Sequence, residues 1–139
     1  PTMCAALGIS QLKKIEKIIE LRRKRGKYYD ENLKEIPKID IIPELVGSRT
    51  VYQLYSILLK NLEKRSKLQN YLLKNGIFTK IYFEPIHLKT FYRKKFGYHE
   101  GNLPITESLS SRILTLPFSL LFKDEDQDYI INTIKNFFN

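Results

Sequence analysis

Residues 51–83 read VYQLYSILLKNLEKRSKLQNYLLKNGIFTKIYF, and this stretch decides the fold class. VYQLYSILLK (51–60) is dense in β-branched and aromatic residues and predicts a strand. From residue 62 to 75 the apolar positions shift to helical spacing through Leu68, Tyr71 and Leu72. Asn75-Gly76 supplies the left-handed stop on which such helices end. IFTKIYF (77–83) then predicts a second strand. A strand, a helix and a strand in so few residues call for a sheet with helices laid on it.

Working outward, Ala5, Ile9, Leu12, Ile15 and Ile19 recur at steps of three and four, and Tyr29 and Leu33 resume the same face beyond a basic run. This predicts one long N-terminal helix, with Gly26 inside it costing about 1 kcal/mol relative to alanine. EIPKIDIIPELVGSRT (35–50), with two prolines and no helical period, reads as an extended crossing segment. YFEPIHLKTFYRKKFGY (82–98) reads as a loop. Pro104 opens a short helix over 105–112, ILTL (113–116) is a third strand cut by Pro117, and Asp124 with Gln127 three residues later marks the start of a last helix. Ile130, Ile134, Phe137 and Phe138 give that helix its apolar stripe. The expected fold class is α+β, a small sheet of about three strands packed with helices.

The 139 residues suffice for one core without covalent staples. A single cysteine, Cys4, forms no internal disulfide and suggests a reducing compartment, and nothing resembles a leader peptide or a membrane span, so a cytoplasmic location is expected. The net charge of +9 is unevenly spread: residues 1–27 carry eight bases against two acids, whereas 113–139 carry two against four. Such a field attracts polyanions generally, so a basic nucleic-acid-binding or interaction module is one reading.

Motifs for chemistry are sparse. One cysteine and two histidines make no structural zinc site, and there is no GxGxxG, Walker A loop or nucleophile elbow. RRKRGK (22–27) reads either as a phosphate-binding patch or as a solvated helix face. His87 carries the most versatile side chain near neutral pH, with Tyr92 and Arg93 five and six residues on. It reads either as a ligand-facing group or as a loop anchor.

The order of these segments resembles the C-terminal part of the DegT/DnrJ/EryC1/StrS family of pyridoxal-phosphate-dependent sugar aminotransferases. MCAALGISQLKKIEKI (3–18) is similar to the family's interdomain helix, and LRRKRGKYYDENL (21–33) to its continuation. RTVYQLYSILL (49–59) is similar to the small domain's first strand. LQNYLLKNGIFTKIYFEPIHLKTFYRKKFGY (68–98) resembles its helix, strand and PxHL loop, and LPITESLSSRILTLPFSLLFKDEDQDYIINTI (103–134) its closing helix, strand and terminal helix. Where many members have Arg-Met, this chain has Thr2-Met3.

The resemblance implies a linking helix over 1–34 and a small C-terminal α+β domain over 35–139, the large cofactor-binding domain being absent. It implies an enzyme that moves an amino group, with glutamate as donor, onto a nucleotide-linked keto sugar for polysaccharide biosynthesis. Pyridoxal 5'-phosphate would be held by a lysine of the missing domain, since none of the seventeen lysines here stands in a matching context. A homodimer, or association with a large domain, is implied as well. Residue by residue, His87 matches the histidine of the PxHL loop and Tyr92 the aromatic after it, with Phe91 beside it. Either Arg93 or Lys89 is the cation expected to meet a phosphate, and the four residues His87, Phe91, Tyr92 and Arg93 are expected on the substrate side.

Overall fold

The computed structural model describes residues 2–139. Its elements run α1 (Thr2–Leu12), α2 (Ile15–Leu33), β1 (Ile39–Ile41), β2 (Tyr55–Leu59), α3 (Leu62–Lys74), a 3-10 turn (Ile86–Leu88), α4 (Thr90–Phe96), α5 (Pro104–Arg112), β3 (Ile113–Leu116) and α6 (Asp124–Phe138). The three strands form one antiparallel sheet in the order β1-β2-β3. This is the expected α+β class, built from a different set of strands.

The register explains the core. Ile39 lies opposite Leu59, Ile57 opposite Leu114 and Tyr55 opposite Leu116, so one face of the sheet is continuous buried side chain. Tyr29 and Leu33 of α2, Leu68 and Leu72 of α3, and Ile130, Ile131 and Ile134 of α6 join them in a single cluster. On the opposite face Ser56 and Thr115, also register partners, share a 2.7 Å hydroxyl hydrogen bond.

Three expectations are corrected by this register. Residues 77–83 are not a strand: Lys80 alone pairs, exchanging two backbone hydrogen bonds (3.1 and 2.8 Å) with Thr115. Phe78 and Phe83 point to solvent there, so no second row of apolar side chains holds a ladder in place. The third strand comes instead from the proline-bearing crossing segment, where Ile39–Ile41 lies between Pro37 and Pro43 at the sheet edge, a position that tolerates proline just outside the ladder. The strand expected from residue 51 begins at Tyr55, because Tyr52 turns the backbone to φ +45°. At the C-terminus, the helix start at Asp124 holds, but the capping carboxylate is that of Asp126, which accepts from the Lys123 N–H at 2.9 Å. Gln127 is buried instead and bonds Arg25 through both its amide oxygen and nitrogen (3.1 and 2.9 Å).

The N-terminal helix also divides. Lys14 closes a tightened turn onto the Gln11 carbonyl at 2.9 Å, and α2 restarts after it. None of α1 is buried. α2, by contrast, is fastened to the sheet by an aromatic clamp. Asp30 accepts hydrogen bonds from Tyr52 (2.9 Å) and Tyr55 (2.7 Å), while Arg22 donates to the Tyr52 carbonyl at 3.1 Å. Tyr29 stacks on Tyr55 with centroids 4.6 Å apart and donates its hydroxyl to Pro117 O at 2.9 Å. Burial pushes the Tyr52 phenol up to about 12 and raises that of Tyr55 further, so both stay protonated donors to Asp30.

The clamp closes because Gly26 has no side chain: a Cβ there would sit 2.5 Å from the Tyr52 ring. A left-handed tyrosine costs about 1–3 kcal/mol, so the bonds holding it leave little room for a shift. Alanine at 26 should gain about 1 kcal/mol of helix propensity and lose about 1–3 kcal/mol to overpacking. Gly26→Ala is therefore expected to lower the urea midpoint, by a net loss of up to about 2 kcal/mol. Gly8→Ala on α1, where nothing lies within 4 Å, should leave that midpoint unchanged or raise it.

Candidate functional site

The segment expected as a loop, 84–98, is a turn and a helix. Leu88 and Lys89 donate backbone hydrogen bonds to Pro85 and Ile86 (3.1 and 3.0 Å), winding the 3-10 turn that carries His87. α4 follows and ends at Gly97, whose φ of +72° gives the left-handed cap. His87 is 5% exposed, with the ring of Tyr98 edge-on at 6.1 Å. Its Nε2 lies 2.9 Å from Oε1 of Glu107 in α5.

Glu107 holds more than the histidine. Its two oxygens accept from the Gly101 N–H (3.1 and 2.9 Å), and Oε1 also accepts from the Leu103 N–H at 3.1 Å. One carboxylate thus ties the 3-10 turn, the 99–103 turn and the start of α5 together. These donors, the Gly101 N–H first and His87 next, hold its carboxyl below the usual range. Residue 107 has no signature beyond an acid in the first turn after Pro104, which reads simply as a complement to the helix dipole. Its role emerges only once Gly101 turns back with φ +91°.

The other expected site residues stand on α4, exposed. Phe91 and Tyr92 meet edge to face at 5.3 Å, Tyr92 stacks with Phe96 at 6.1 Å, and Lys95 lies 5.3 Å over Phe91. Arg93 makes no side-chain hydrogen bond or ion pair among the described residues, whereas Lys89 is paired with Glu84. The structure thus brings Phe91, Tyr92 and Arg93 onto one exposed helix and places the His87 imidazole behind it, turned to Glu107. The surface is open. A hollow of about 420 Å³ lies between α2 and the start of α6 and includes none of these residues.

RRKRGK is neither a free patch nor a solvated face. Arg23 pairs with Glu44 at 2.6 Å and reaches Thr50 O at 2.7 Å, and that pairing holds the Glu44 carboxyl down to about 2. Arg25 bonds Gln127 and the Phe122 carbonyl, and Arg22 serves the clamp. The arginines are joints of the fold, which leaves Lys24 and Lys27 as the exposed charges of the run without an ion pair among the described residues. Tyr52 and Tyr55, stacked with Tyr29 and Phe118, are likewise unavailable for stacking nucleobases. Among the described residues no three His, Cys, Asp or Glu side chains gather as metal ligands, and no helix is long and apolar enough to cross a membrane.

Because the Glu107 carboxyl is held below its ordinary value, the order it confers is complete above the ordinary carboxylate range, about pH 4.3. That order should be lost as pH falls through the depressed value. Hydrogen exchange at the Gly101 and Leu103 amides is expected to quicken relative to the core as the pH drops through that window. Glu107→Gln should give fast exchange at both amides at all pH values and leave Leu114 protected.

The family model of the DegT/DnrJ/EryC1/StrS aminotransferase family matches residues 1–135. GDP-perosamine synthase of Escherichia coli O157:H7 is 29% identical, over 99% of this chain and 36% of its own length. The dTDP-4-amino-4,6-dideoxy-D-glucose transaminase of Escherichia coli is 32% identical, over 94% and 35%. Among solved structures, a DegT DnrJ EryC1 StrS aminotransferase from Brucella abortus is 35% identical with a TM-score of 0.80, covering 94% of this chain and 34% of that one. The PLP form of Spr1654 from Streptococcus pneumoniae is 27% identical with a TM-score of 0.85, covering 95% and 34%. The chain therefore spans about a third of the length of the curated relatives it matches. With a match running from residue 1 to residue 135, this chain belongs to the DegT/DnrJ/EryC1/StrS aminotransferase family.

Proposed function

We propose that this chain is the C-terminal domain of a pyridoxal-phosphate-dependent aminotransferase that aminates a nucleotide-linked keto sugar for polysaccharide biosynthesis, with glutamate as donor. The observation that carries the reading is the state of α1. Met3, Leu7, Ile9 and Leu12 are all more than half exposed, an apolar surface that calls for a covering body. The lysine-bearing large domain is that body in this reading, with α1–α2 as the link and residues 35–139 as the small domain. The complete enzyme is a cytoplasmic homodimer. The names of relatives that act on GDP- and dTDP-linked sugars support the substrate class.

The residues present do not suit the cofactor. A lysine that bears it must be desolvated to be nucleophilic near neutral pH, yet sixteen of the seventeen lysines are exposed and Lys135 is half-buried. The cofactor's attachment therefore belongs to the rest of the enzyme, and no step of the chemistry is assigned to a lysine of this chain. What this chain contributes is one wall. His87, bonded to Glu107, sets the turn from which α4 projects. Phe91 and Tyr92 offer apolar faces to a sugar or base, and Arg93 offers an unpaired charge to a diphosphate.

Treating the 139-residue chain with pyridoxal phosphate and borohydride should label several exposed lysines weakly. A single lysine labelled to completion, read by peptide mass spectrometry, would overturn the assignment of the cofactor to another domain. In the complete enzyme, Tyr92→Ala and Arg93→Ala should each raise KM for the nucleotide sugar about tenfold, the effect of one lost contact of about 1.4 kcal/mol. KM for the amino donor should stay within twofold. An unchanged sugar KM in both variants would remove α4 from the substrate wall.

A further inference from the structure

Where β2 stops and α3 starts, four cations from separate segments meet at one hollow. Lys38 precedes β1, Lys60 follows β2, Lys64 stands in the first turn of α3, and Arg112 ends α5 just before β3. With Pro37, Asp40 and Phe138 they line a concavity of about 300 Å³. Asp40 is the one carboxylate of that lining, and Arg112 already holds it at 2.8 Å while its Nε donates to Leu59 O at 2.7 Å. Lys38 is fixed in place, its Nζ donating to the Phe138 carbonyl at 3.2 Å and lying 5.6 Å from the ring centroid. Lys60 and Lys64 make no side-chain hydrogen bond or ion pair among the described residues.

Three ammonium groups with no acid left to pair raise one another's energy, and a concave low-dielectric wall concentrates their field. The start of α3 adds to it. Asn61 caps only the Lys64 N–H, at 2.9 Å, and Glu63, the acid of that turn, is engaged by Lys67 at 2.6 Å. The first N–H groups of a 13-residue helix remain beside the lysines. A singly charged carboxylate would leave most of this charge unmatched, and a nucleic-acid polymer needs a longer track than one small hollow.

We propose that this pocket binds a small phosphate-bearing polyanion, a diphosphate group held by Lys38, Lys60 and Lys64. It shares no residue with α4 or the His87 turn, so the site is additional to the substrate wall and stands whether or not that wall is correctly assigned. Volume and charge fit together: about 300 Å³ is the lower end for a ligand pocket, and the excess positive charge suits a group with two or three negative charges.

Inorganic pyrophosphate, titrated calorimetrically into the 139-residue chain at 0.15 M salt, should bind saturably at one site. Lys60→Ala with Lys64→Ala should weaken it tenfold or more, whereas Lys13→Ala with Lys17→Ala, exposed residues that do not line this hollow, should change it less than twofold. All four are surface positions, and unchanged circular dichroism would verify the fold. Lys60→Gln alone, the mildest change, should still weaken binding measurably. ADP in place of pyrophosphate separates the two sources of the group: equal affinity supports recognition of the diphosphate alone, and tighter ADP binding supports a nucleotide lying against Phe138. No saturable binding, or equal weakening by both pairs of variants, overturns the proposal.

Discussion

The carboxylate of Asp30 is the point on which the rest of the structure depends. It accepts two tyrosine hydroxyls, from Tyr52 in the approach to β2 and Tyr55 within it, and so joins the N-terminal helical segment to the sheet. A half-buried, hydrogen-bonded acid of this kind does more than add energy. It fixes the rotation of α2 about its axis, and with it the direction in which Tyr29 and Leu33 enter the core. Without that acceptor the half-buried Tyr52 and the buried Tyr55 would each face an unsatisfied hydroxyl, which is costlier than the bond itself is favourable. Sheet register, aromatic stack and helix placement therefore stand or fall together.

A second carboxylate, Glu107, does for the outer surface what Asp30 does for the core. In both cases one acid gathers donors from segments distant in sequence, and the chain between them is free to be irregular. This is why the 84–103 region presents an exposed helix in a defined place although it is anchored by few apolar contacts. The basic character of the chain divides along the same line. Every arginine but Arg93 is spent on a carbonyl or carboxylate that suits its planar fork, while nearly all the lysines are left exposed. Net charge alone cannot distinguish the two uses.

That division marks what was legible in the sequence. α3, α5, β3 and α6 follow from periodicity and from their stop and start residues, all of which are local signals. The strand count also follows, but its membership does not. IFTKIYF has better strand composition than KIDI, yet it pairs at Lys80 alone, because strand pairing is decided by neighbours on the sheet and not by propensity. At the site, the PxHL histidine and the aromatics after it stand out as residue types. Their separation into a buried imidazole and an exposed aromatic pair depends on Glu107, twenty residues away. No pattern within 84–98 contains it.

The division of the N-terminal helix at Lys13–Lys14 has a mechanical consequence. Eleven residues of helix make α1 a rod about 16 Å long. A change of 10° in its direction at that joint carries the far end through about 3 Å. The distance is comparable to a hydrogen bond, so whatever body rides on α1 is aimed by the backbone of two lysines, which make no side-chain contact with the core of this domain.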